Sequence, residues 1–443
     1  MLIEFSIENF RSLKENFSFN MIASKSDKFL EANLILGTEA IKMDGDITRN
    51  SLGKYTNLLR SAAIYGANAS GKSNSLIALS FLKYIITNSI KNMPGDKIVF
   101  EPFKLDKKCL SKPCKFDINF ISEGIRYNYG ASFTDEKVID EYLYYYPKGS
   151  IATIFEREDT TKYNFKVDVS KQNRISEDTL ENVFYLASSS QRNYDKTIKA
   201  FKWFKEILTA NILHSNNPGY TFKLVEDDKD VEQKIARLLH CADFGISNFE
   251  SKIEDVPYDD LPDDLKTASW FSGKKGEVFK KAEAKLFHKG VDENNNETQV
   301  VFELEDESDG TQKMFSLLGP WIDSLNKGLV LVIDELDCEL HPLLCELIIK
   351  TFNSPEFNRC NAQLIFSAHN TYLMNSELLR RDQIWFTEKN IDTGSTEIYS
   401  LLEYKQRHGA NFEKSYLNGK YGAIPYIMEG YRDIFGIKDA EKK

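Results

Sequence analysis

Gly66-Ala-Asn-Ala-Ser-Gly-Lys-Ser73 matches the full Gly-x-x-x-x-Gly-Lys-Ser/Thr pattern of a phosphate-binding loop, or P-loop. The apolar segment Ser61–Tyr65 precedes this stretch, and apolar residues recur at helical spacing between Ser73 and Thr87 after it. The glycines allow a tight turn in which successive backbone N–H groups face a phosphate. A strand, this loop and a helix, in that order, predict an α/β fold. The alternative is an ordinary glycine-containing turn, which the flanking strand and helix make less plausible.

The P-loop chemistry predicts ATP as the ligand and Mg²⁺ as its metal ion. Lys72 supplies a cation for the β- and γ-phosphates, and Ser73 offers its hydroxyl to the metal. The nucleotide-binding residues expected from this segment are Gly66, Asn68, Ser70, Gly71, Lys72, Ser73 and Asn74.

A second apolar run, Leu329–Ile333, ends in the acidic pair Asp334 and Glu335. A strand buried on both faces requires such a continuous aliphatic run. We expect Asp334 to hold Mg²⁺ and Glu335 to act as general base toward the attacking water. A buried strand that ends in two unrelated acids is the alternative, and the P-loop elsewhere in the chain favours the metal site.

Two further segments carry candidate residues. A strand-like run ends at His369, whose imidazole can donate a hydrogen bond to charge that develops on a γ-phosphate. Ser308, Gly310 and Gln312 precede a helical run, so Ser308 is expected near a helix N-terminus, which favours an anion. Taken alone, this second segment is equally explained as a simple helix cap.

Composition limits the class of protein. The 443 residues carry a formal net charge of −10, which does not indicate broad binding to nucleic acid, although a local basic patch is compatible with it. No apolar run approaches the ~20 residues of a membrane helix, and the first residues do not resemble an export signal. The six cysteines form no CxxC pair, so we expect reduced thiols in a cytoplasmic protein that does not bind a membrane.

The chain is predicted to form one split domain. Residues 1–113 are expected to form the N-terminal lobe with the P-loop, and residues 298–443 the C-terminal lobe with the acidic pair. The pattern of residues 114–297 predicts β-strands first and helices after them, and this region is interpreted as an insertion. Within the insertion, the acidic and then lysine-rich stretch 254–285 is typical of a solvated segment.

Together these motifs resemble the ABC ATPase superfamily, and in particular its branch of SMC, recombination-repair and overcoming-lysogenization (OLD) proteins. Ser308-Asp-Gly-Thr-Gln312 resembles the signature motif, Asp334–Pro342 the Walker B and D-loop segment, and His369 the switch histidine. The opening strand also resembles that branch, which implies that Arg11 lies near the nucleotide. The resemblance therefore implies an ABC-type P-loop ATPase head with a large β-plus-helical insertion.

The resemblance also implies partners. The P-loop of one copy faces the signature motif of another with ATP between them, so a homodimer or higher oligomer is expected. Glu101–Leu105 and Lys420–Pro425 resemble compact ATPases of bacterial defence loci, the RloA-like and PARIS-type proteins. That similarity implies a separate effector protein, of nuclease type, in defence against phage.

The sequence departs from the family pattern at two positions, and alternatives remain. His341 occupies the usual aspartate position of the D-loop, and Glu101 stands where the Q-loop glutamine is expected. An OLD-type protein would carry a nuclease domain after the ATPase, whereas only residues 387–443 follow Phe386. A DNA-tethering SMC- or repair-like ATPase would need a long heptad-patterned arm, and a transporter ATPase a smaller insertion.

Overall fold

The computed structural model describes residues 1–425 apart from short gaps, and the residues left out are 29, 38–41, 44–45, 48–56, 148, 211–216, 243, 262–265, 267–273, 275, 406–409 and 426–443. The last part of the expected C-terminal lobe and part of the acidic and lysine-rich stretch therefore lie outside the described residues.

The described residues form strands in three principal sheets and two small two-stranded sheets. The strands are β1 (Leu2–Glu8), β2 (Phe17–Asn20), β3 (Leu34–Ile35), β4 (Lys42–Met43), β5 (Asp46–Ile47), β6 (Leu58–Leu59), β7 (Ser61–Gly66), β8 (Cys114–Ser122), β9 (Ile125–Phe133), β10 (Val138–Tyr145), β11 (Ala152–Glu158), β12 (Lys162–Phe165), β13 (Leu208–Thr209), β14 (Ile246–Pro257), β15 (Val278–Val291), β16 (Glu297–Glu303), β17 (Val330–Ile333), β18 (Gln363–Ser367), β19 (Ile384–Lys389) and β20 (Thr396–Ser400).

The described helices are α1 (Lys72–Asn88), α2 (Val169–Glu177), α3 (Tyr185–Gln191), α4 (Asp195–Lys202), α5 (Gly219–Asp227), α6 (Lys229–Cys241), α7 (Asp309–Lys327), α8 (Pro342–Asn353) and α9 (Phe412–Leu417). A single π-helical turn, Trp203–Ile207, follows α4. None of the described helices combines the length and the apolar character that crossing a bilayer requires.

The central sheet has the strand order β13-β17-β18-β7-β19-β20, and all its neighbours are parallel except β19 and β20. The P-loop strand β7 lies between β18 and β19, and β17 is one strand further away. The carboxyl ends of β7, β17 and β18 therefore meet at one edge, where ligands bind in open α/β sheets. The α/β P-loop fold predicted from the sequence is confirmed.

The central sheet is buried on both faces. Along β7, Ala62 and Ile64 pack into one hydrophobic core, whereas Ala63 and Tyr65 pack into a second core on the opposite face. The aliphatic run of β17 divides between the two cores in the same alternating manner. This two-sided burial explains why these strands are continuously apolar rather than alternating.

The second sheet is antiparallel, with the order β12-β11-β10-β9-β8-β1-β2. Strand β1 pairs with β8 from Leu2 to Glu8, so the sheet joins residues on both sides of the expected boundary between 113 and 114. The physical reason is that the backbone groups of β1 need hydrogen-bonding partners on both sides, and β2 and β8 supply them. Gln363 at the start of β18 donates to Leu2 O (3.0 Å) and Leu59 O (3.1 Å), which links the two sheets.

The third sheet, β14-β15-β16, contains both ends of the stretch expected to be solvated: residues 254–257 lie in β14 and residues 278–285 in β15. Phe249 of β14 and Leu286 of β15 pack into the second hydrophobic core, whereas every residue of β16 is exposed. Because β16 spans Glu297–Glu303, the expected boundary between 297 and 298 falls inside a strand. The three-part division of the chain stays a prediction, and all three principal sheets contain strands from more than one of its parts, since β13 of the expected insertion pairs with β17 in the central sheet.

Candidate nucleotide site

The P-loop connects β7 to α1 through a turn that requires glycine. Gly71 caps α1 with φ of 107°, in a region that other residues rarely adopt. A Cβ at Gly71 would lie only 2.1 Å from Thr396 Oγ1, whose hydroxyl donates to Ser70 O (2.9 Å). The turn is therefore fixed both by its backbone conformation and by contact with β20.

Lys72 is the first residue of α1, and only 6 % of its surface is exposed. Its Nζ donates to Gly66 O (2.9 Å) and Ala67 O (3.1 Å), so the ammonium group rests on the loop's own carbonyl groups. Burial lowers the pKa of Lys72, and the nearby carboxylates of Asp334 and Glu335 partly oppose that shift. The cation is thus held near the acidic pair.

A cleft of about 680 Å³ opens above the P-loop. Its lining comprises the P-loop residues from Asn68 to Asn74, together with Ser12, Glu335, His369 and Lys389. The ends of β7, β17 and β18 thus bring the P-loop, the general-base candidate and the histidine to one cavity. Glu335 and His369 lie more than 260 residues after the P-loop in the chain, and the parallel strand order explains their meeting.

Ser12 and Lys389 were not identified from the sequence as site residues. Ser12 Oγ accepts a hydrogen bond from Asn74 Nδ2 and shares a second hydrogen bond with Thr396 Oγ1, both at 2.8 Å. Lys389 is exposed at the carboxyl end of β19, next to β7. The available signals were weak: Ser12 follows Arg11, and Lys389 ends a strand-like run.

The acidic pair is arranged by Ser367 at the end of β18. The Ser367 hydroxyl donates to Asp334 Oδ1 (2.5 Å) and accepts from Glu335 N (2.8 Å). Asp334 is fully buried, whereas Glu335 is partly exposed in the left-handed conformation, with φ of 52°. Non-glycine residues in this region are uncommon and often found at functional sites. The turn separates the directions of the two carboxylates, one toward the interior and one toward the cleft.

Glu335 and His369 are within reach of each other, since Glu335 Oε1 lies 3.4 Å from His369 Nε2. The backbone around His369 is held by Asp337, whose Oδ2 accepts from His369 N (2.9 Å) and Asn370 N (2.5 Å). Sequence reasoning missed Asp337, although it lies only two residues after Glu335. The histidine is therefore placed by a carboxylate from the loop that also carries the base candidate.

The residues at the cleft fit Mg²⁺ bound together with a nucleotide. Ser73 lines the cleft at the start of α1, and the buried carboxylate of Asp334 is close enough to the neighbouring Lys72 to act on its pKa. No group of three or more His, Cys, Asp or Glu side chains suited to a metal occurs among the described residues. Mg²⁺ typically takes one or two protein oxygens and completes its shell with phosphate and water. The Ser73 hydroxyl and the Asp334 carboxylate would supply these two protein oxygens.

Ser308, Gly310 and Gln312 lie at the start of α7. Ser308 is exposed and caps α7, with its Oγ accepting from Thr311 N (3.3 Å). A Cβ at Gly310 would lie 2.8 Å from Glu339 O, so the segment packs against the loop after the acidic pair. None of these three residues lines the P-loop cleft of the same chain.

Arg11, Glu101 and His341 have local partners. Arg11 Nε contacts Glu101 Oε2 in an ion pair, and Arg11 does not line the cleft. His341 caps α8, with Nδ1 accepting from Leu343 N (3.3 Å). The nucleotide contact expected of Arg11 stays a prediction.

A family model described as "AAA domain, putative AbiEii toxin, Type IV TA system" matches residues 61–375, which include the P-loop, Ser308, the acidic pair and His369. No curated protein sequence matches the chain. Two solved structures that match are an SMC head domain from Thermotoga maritima (13% identity, TM-score 0.36, 90% of this chain and 98% of that chain) and an SMC head bound to the C-winged helix domain of ScpA (13%, 0.37, 90% and 97%).

Proposed function

Because the chain belongs to the AAA domain family described as "putative AbiEii toxin, Type IV TA system", we propose that it binds and hydrolyses ATP at a site that a second copy of the chain completes. The observation that supports this proposal most directly is that the motifs of one chain lie at two separate places on its surface. The cleft gathers the P-loop, Glu335 and His369, whereas the exposed Ser308 segment lies apart from it. A site complete within one chain would need the Ser308 segment in the same cleft.

In this proposal each residue has a role set by its position. Lys72 exchanges its P-loop carbonyl partners for phosphate oxygens, and the backbone N–H groups of the loop bind the same phosphates. Glu335 accepts a proton from the attacking water, and His369 donates a hydrogen bond to the γ-phosphate. Ser73 and Asp334 would hold Mg²⁺, which would supply positive charge beside the β- and γ-phosphates.

The second copy contributes the N-terminus of α7. Ser308 caps this helix of 19 residues, whose free N–H groups and dipole favour an anion. Placed over the cleft of another copy, Ser308 and Gly310 would contact the γ-phosphate held by that copy's P-loop. ATP would then join the two copies, and its hydrolysis would release them.

A mixing experiment tests the composite site. Ser308→Arg should leave ATP affinity of the isolated subunit nearly intact but abolish hydrolysis, because bulk and charge fill the position where the opposing phosphate docks. Lys72→Ala should abolish hydrolysis by weakening nucleotide binding. A mixed dimer has two nucleotide sites. One site combines both defects, whereas the other joins the intact P-loop of one subunit to the intact Ser308 segment of its partner, so activity should return. If subunit exchange is demonstrated and activity stays at zero, the proposal is contradicted.

We further propose that this ATP-driven pairing controls a separate effector of nuclease type in defence against phage. Support comes from the resemblance to defence ATPases and from the family description, which names a toxin and a toxin–antitoxin system. The tethering alternative requires a long helical arm, whereas the longest described helix, α7, has 19 residues. The test is phage plating on cells that carry the gene with its neighbours. Protection should be lost with Lys72→Ala or with deletion of a neighbouring nuclease-like gene, and protection unaffected by both changes would contradict the proposal.

A further inference from the structure

The signature segment, Glu307–Gln312, is held by a contact on each side. On the side of the acidic pair, Gly310 packs against Glu339 O. Within the segment, Gln312 Nε2 donates to Glu307 O (2.9 Å), which fixes the backbone just before Ser308. The position of Ser308 therefore depends on what holds Glu307.

The Glu307 side chain is held by the third sheet. His288 of β15 lies 2.6 Å from it, measured from Nε2 to Glu307 Oε1, and the two side chains are only 20% and 8% exposed. A carboxylate has no proton to give, so His288 Nε2–H is the donor. The imidazole also packs against Phe302 of β16, with ring centroids 4.8 Å apart. The third sheet thus connects to the signature segment through a nearly buried hydrogen bond.

The placement of Glu307 has an electrostatic consequence. Its carboxylate immediately precedes the N-terminus of α7, where the helix dipole and free N–H groups attract anions. A carboxylate released from His288 would be drawn to that terminus and would compete with an incoming phosphate. Holding the carboxylate on β15 keeps the terminus available.

We propose that His288 is a positioning residue for the signature segment: it holds the Glu307 carboxylate on the third sheet, so that Ser308 can receive the γ-phosphate bound by another copy. This inference rests on the proposed composite site. It assigns the third sheet a role in hydrolysis, although that sheet contributes no residue to the P-loop cleft.

The first test compares a substitution of His288 that removes the hydrogen-bond donor with one that keeps a donor. His288→Phe keeps a ring against Phe302 but removes the donor, and it should lower ATP turnover by at least about tenfold. ATP affinity of the isolated subunit should stay unchanged. His288→Gln can still donate a hydrogen bond and should retain more activity. His240→Phe is the matched control, because His240 Nδ1 contacts a backbone carbonyl of the same sheet, Ile246 O (3.3 Å), rather than the signature segment's carboxylate. This variant should turn over ATP normally.

The mixing experiment then locates the defect. His288→Phe subunits should regain activity with Lys72→Ala subunits, which supply an intact signature segment, and should gain none with Ser308→Arg subunits. A general loss of folding would not produce this asymmetry. Adding Glu307→Gln to His288→Phe should restore part of the turnover, since a neutral amide competes less with phosphate.

The outcomes separate this inference from the proposed function. If Ser308→Arg and Lys72→Ala restore each other but His288→Phe hydrolyses ATP like the wild type, only the role of His288 is wrong. The same conclusion follows if Ser308→Arg, rather than Lys72→Ala, restores His288→Phe. If Ser308→Arg and Lys72→Ala fail to restore each other despite exchange, the composite site itself fails.

Discussion

Asp337 offers a sharp test of how the switch histidine is positioned. Its Oδ2 accepts both His369 N and Asn370 N, at 2.9 Å and 2.5 Å, and so holds the backbone that presents the imidazole. Asp337→Ala removes both hydrogen bonds without touching a group that contacts the nucleotide in the proposed mechanism. His369 would remain in the chain but would no longer be fixed 3.4 Å from Glu335.

The size of the effect follows from these contacts. Hydrogen bonds to a charged acceptor are worth about 1.5–3 kcal/mol each, so their loss is enough to let the loop shift. Misplacing a catalytic group by about 1 Å can cost up to about 100-fold in rate. We therefore expect kcat to fall about 10- to 100-fold, equivalent to about 1.4–2.7 kcal/mol, with little change in KM for ATP. Asp337→Asn keeps an acceptor oxygen and should lose less.

Phosphate release measured against ATP concentration gives kcat and KM for each variant. If Asp337 acts through His369, Asp337→Ala combined with His369→Ala should be no slower than His369→Ala alone. Asp382→Asn is the control, because Asp382 also accepts a backbone N–H, but from Ser24 (2.7 Å), which does not line the cleft as His369 does. An unchanged kcat, or losses that add in the double variant, would refute the reasoning.

Three other predictions follow from the site and the core. Lys72→Ala should weaken binding of ATP analogues, because a charge-assisted contact to phosphate is lost; unchanged affinity by titration calorimetry would mean that the P-loop assignment is wrong. Glu335→Gln should bind ATP, hydrolyse it slowly and accumulate as a larger species in light scattering with ATP, whereas wild-type turnover would remove Glu335 from the catalytic role. Glu141→Ala should lower the free energy of unfolding, measured in urea, by about 3–5 kcal/mol, because buried Arg157 loses the carboxylate whose Oε2 lies 3.7 Å from its Nη1. The exposed Glu136→Ala is the control and should change this free energy by less than about 0.5 kcal/mol. Equal effects of the two substitutions would contradict this account.

The sequence predicted the part of the fold that depends on local patterns. The run from Ser61 through the P-loop gave a strand, turn and helix that the structure confirms as β7 and α1. The aliphatic run before Asp334 gave β17, because a strand buried on both faces leaves a continuous apolar signature. Ser308 was also expected at a helix N-terminus, where it caps α7.

Long-range pairing was beyond the reach of such patterns. Nothing local indicates that β1 pairs with β8, since an alternating strand specifies a buried face but not its neighbours. Ser12 enters the site through Thr396, which lies at the other end of the chain. Asp337 was missed for another reason: its carboxylate binds backbone N–H groups, and backbone donors leave no trace in the sequence.

The most direct test of the composite site is a crosslink between two different chains. One chain carries Asn68→Cys, in the exposed part of the P-loop cleft, and a differently tagged chain carries Ser308→Cys. Both chains also carry Glu335→Gln so that they retain ATP. In both chains the exposed cysteines at 241, 338 and 360 are replaced by serine. A short bismaleimide should join the two tags when ATP is added and not in its absence, whereas Ile391→Cys, 94% exposed and outside the cleft, should not replace Asn68→Cys. A crosslink that forms equally without ATP, or none at all while ATP is bound, would contradict the account.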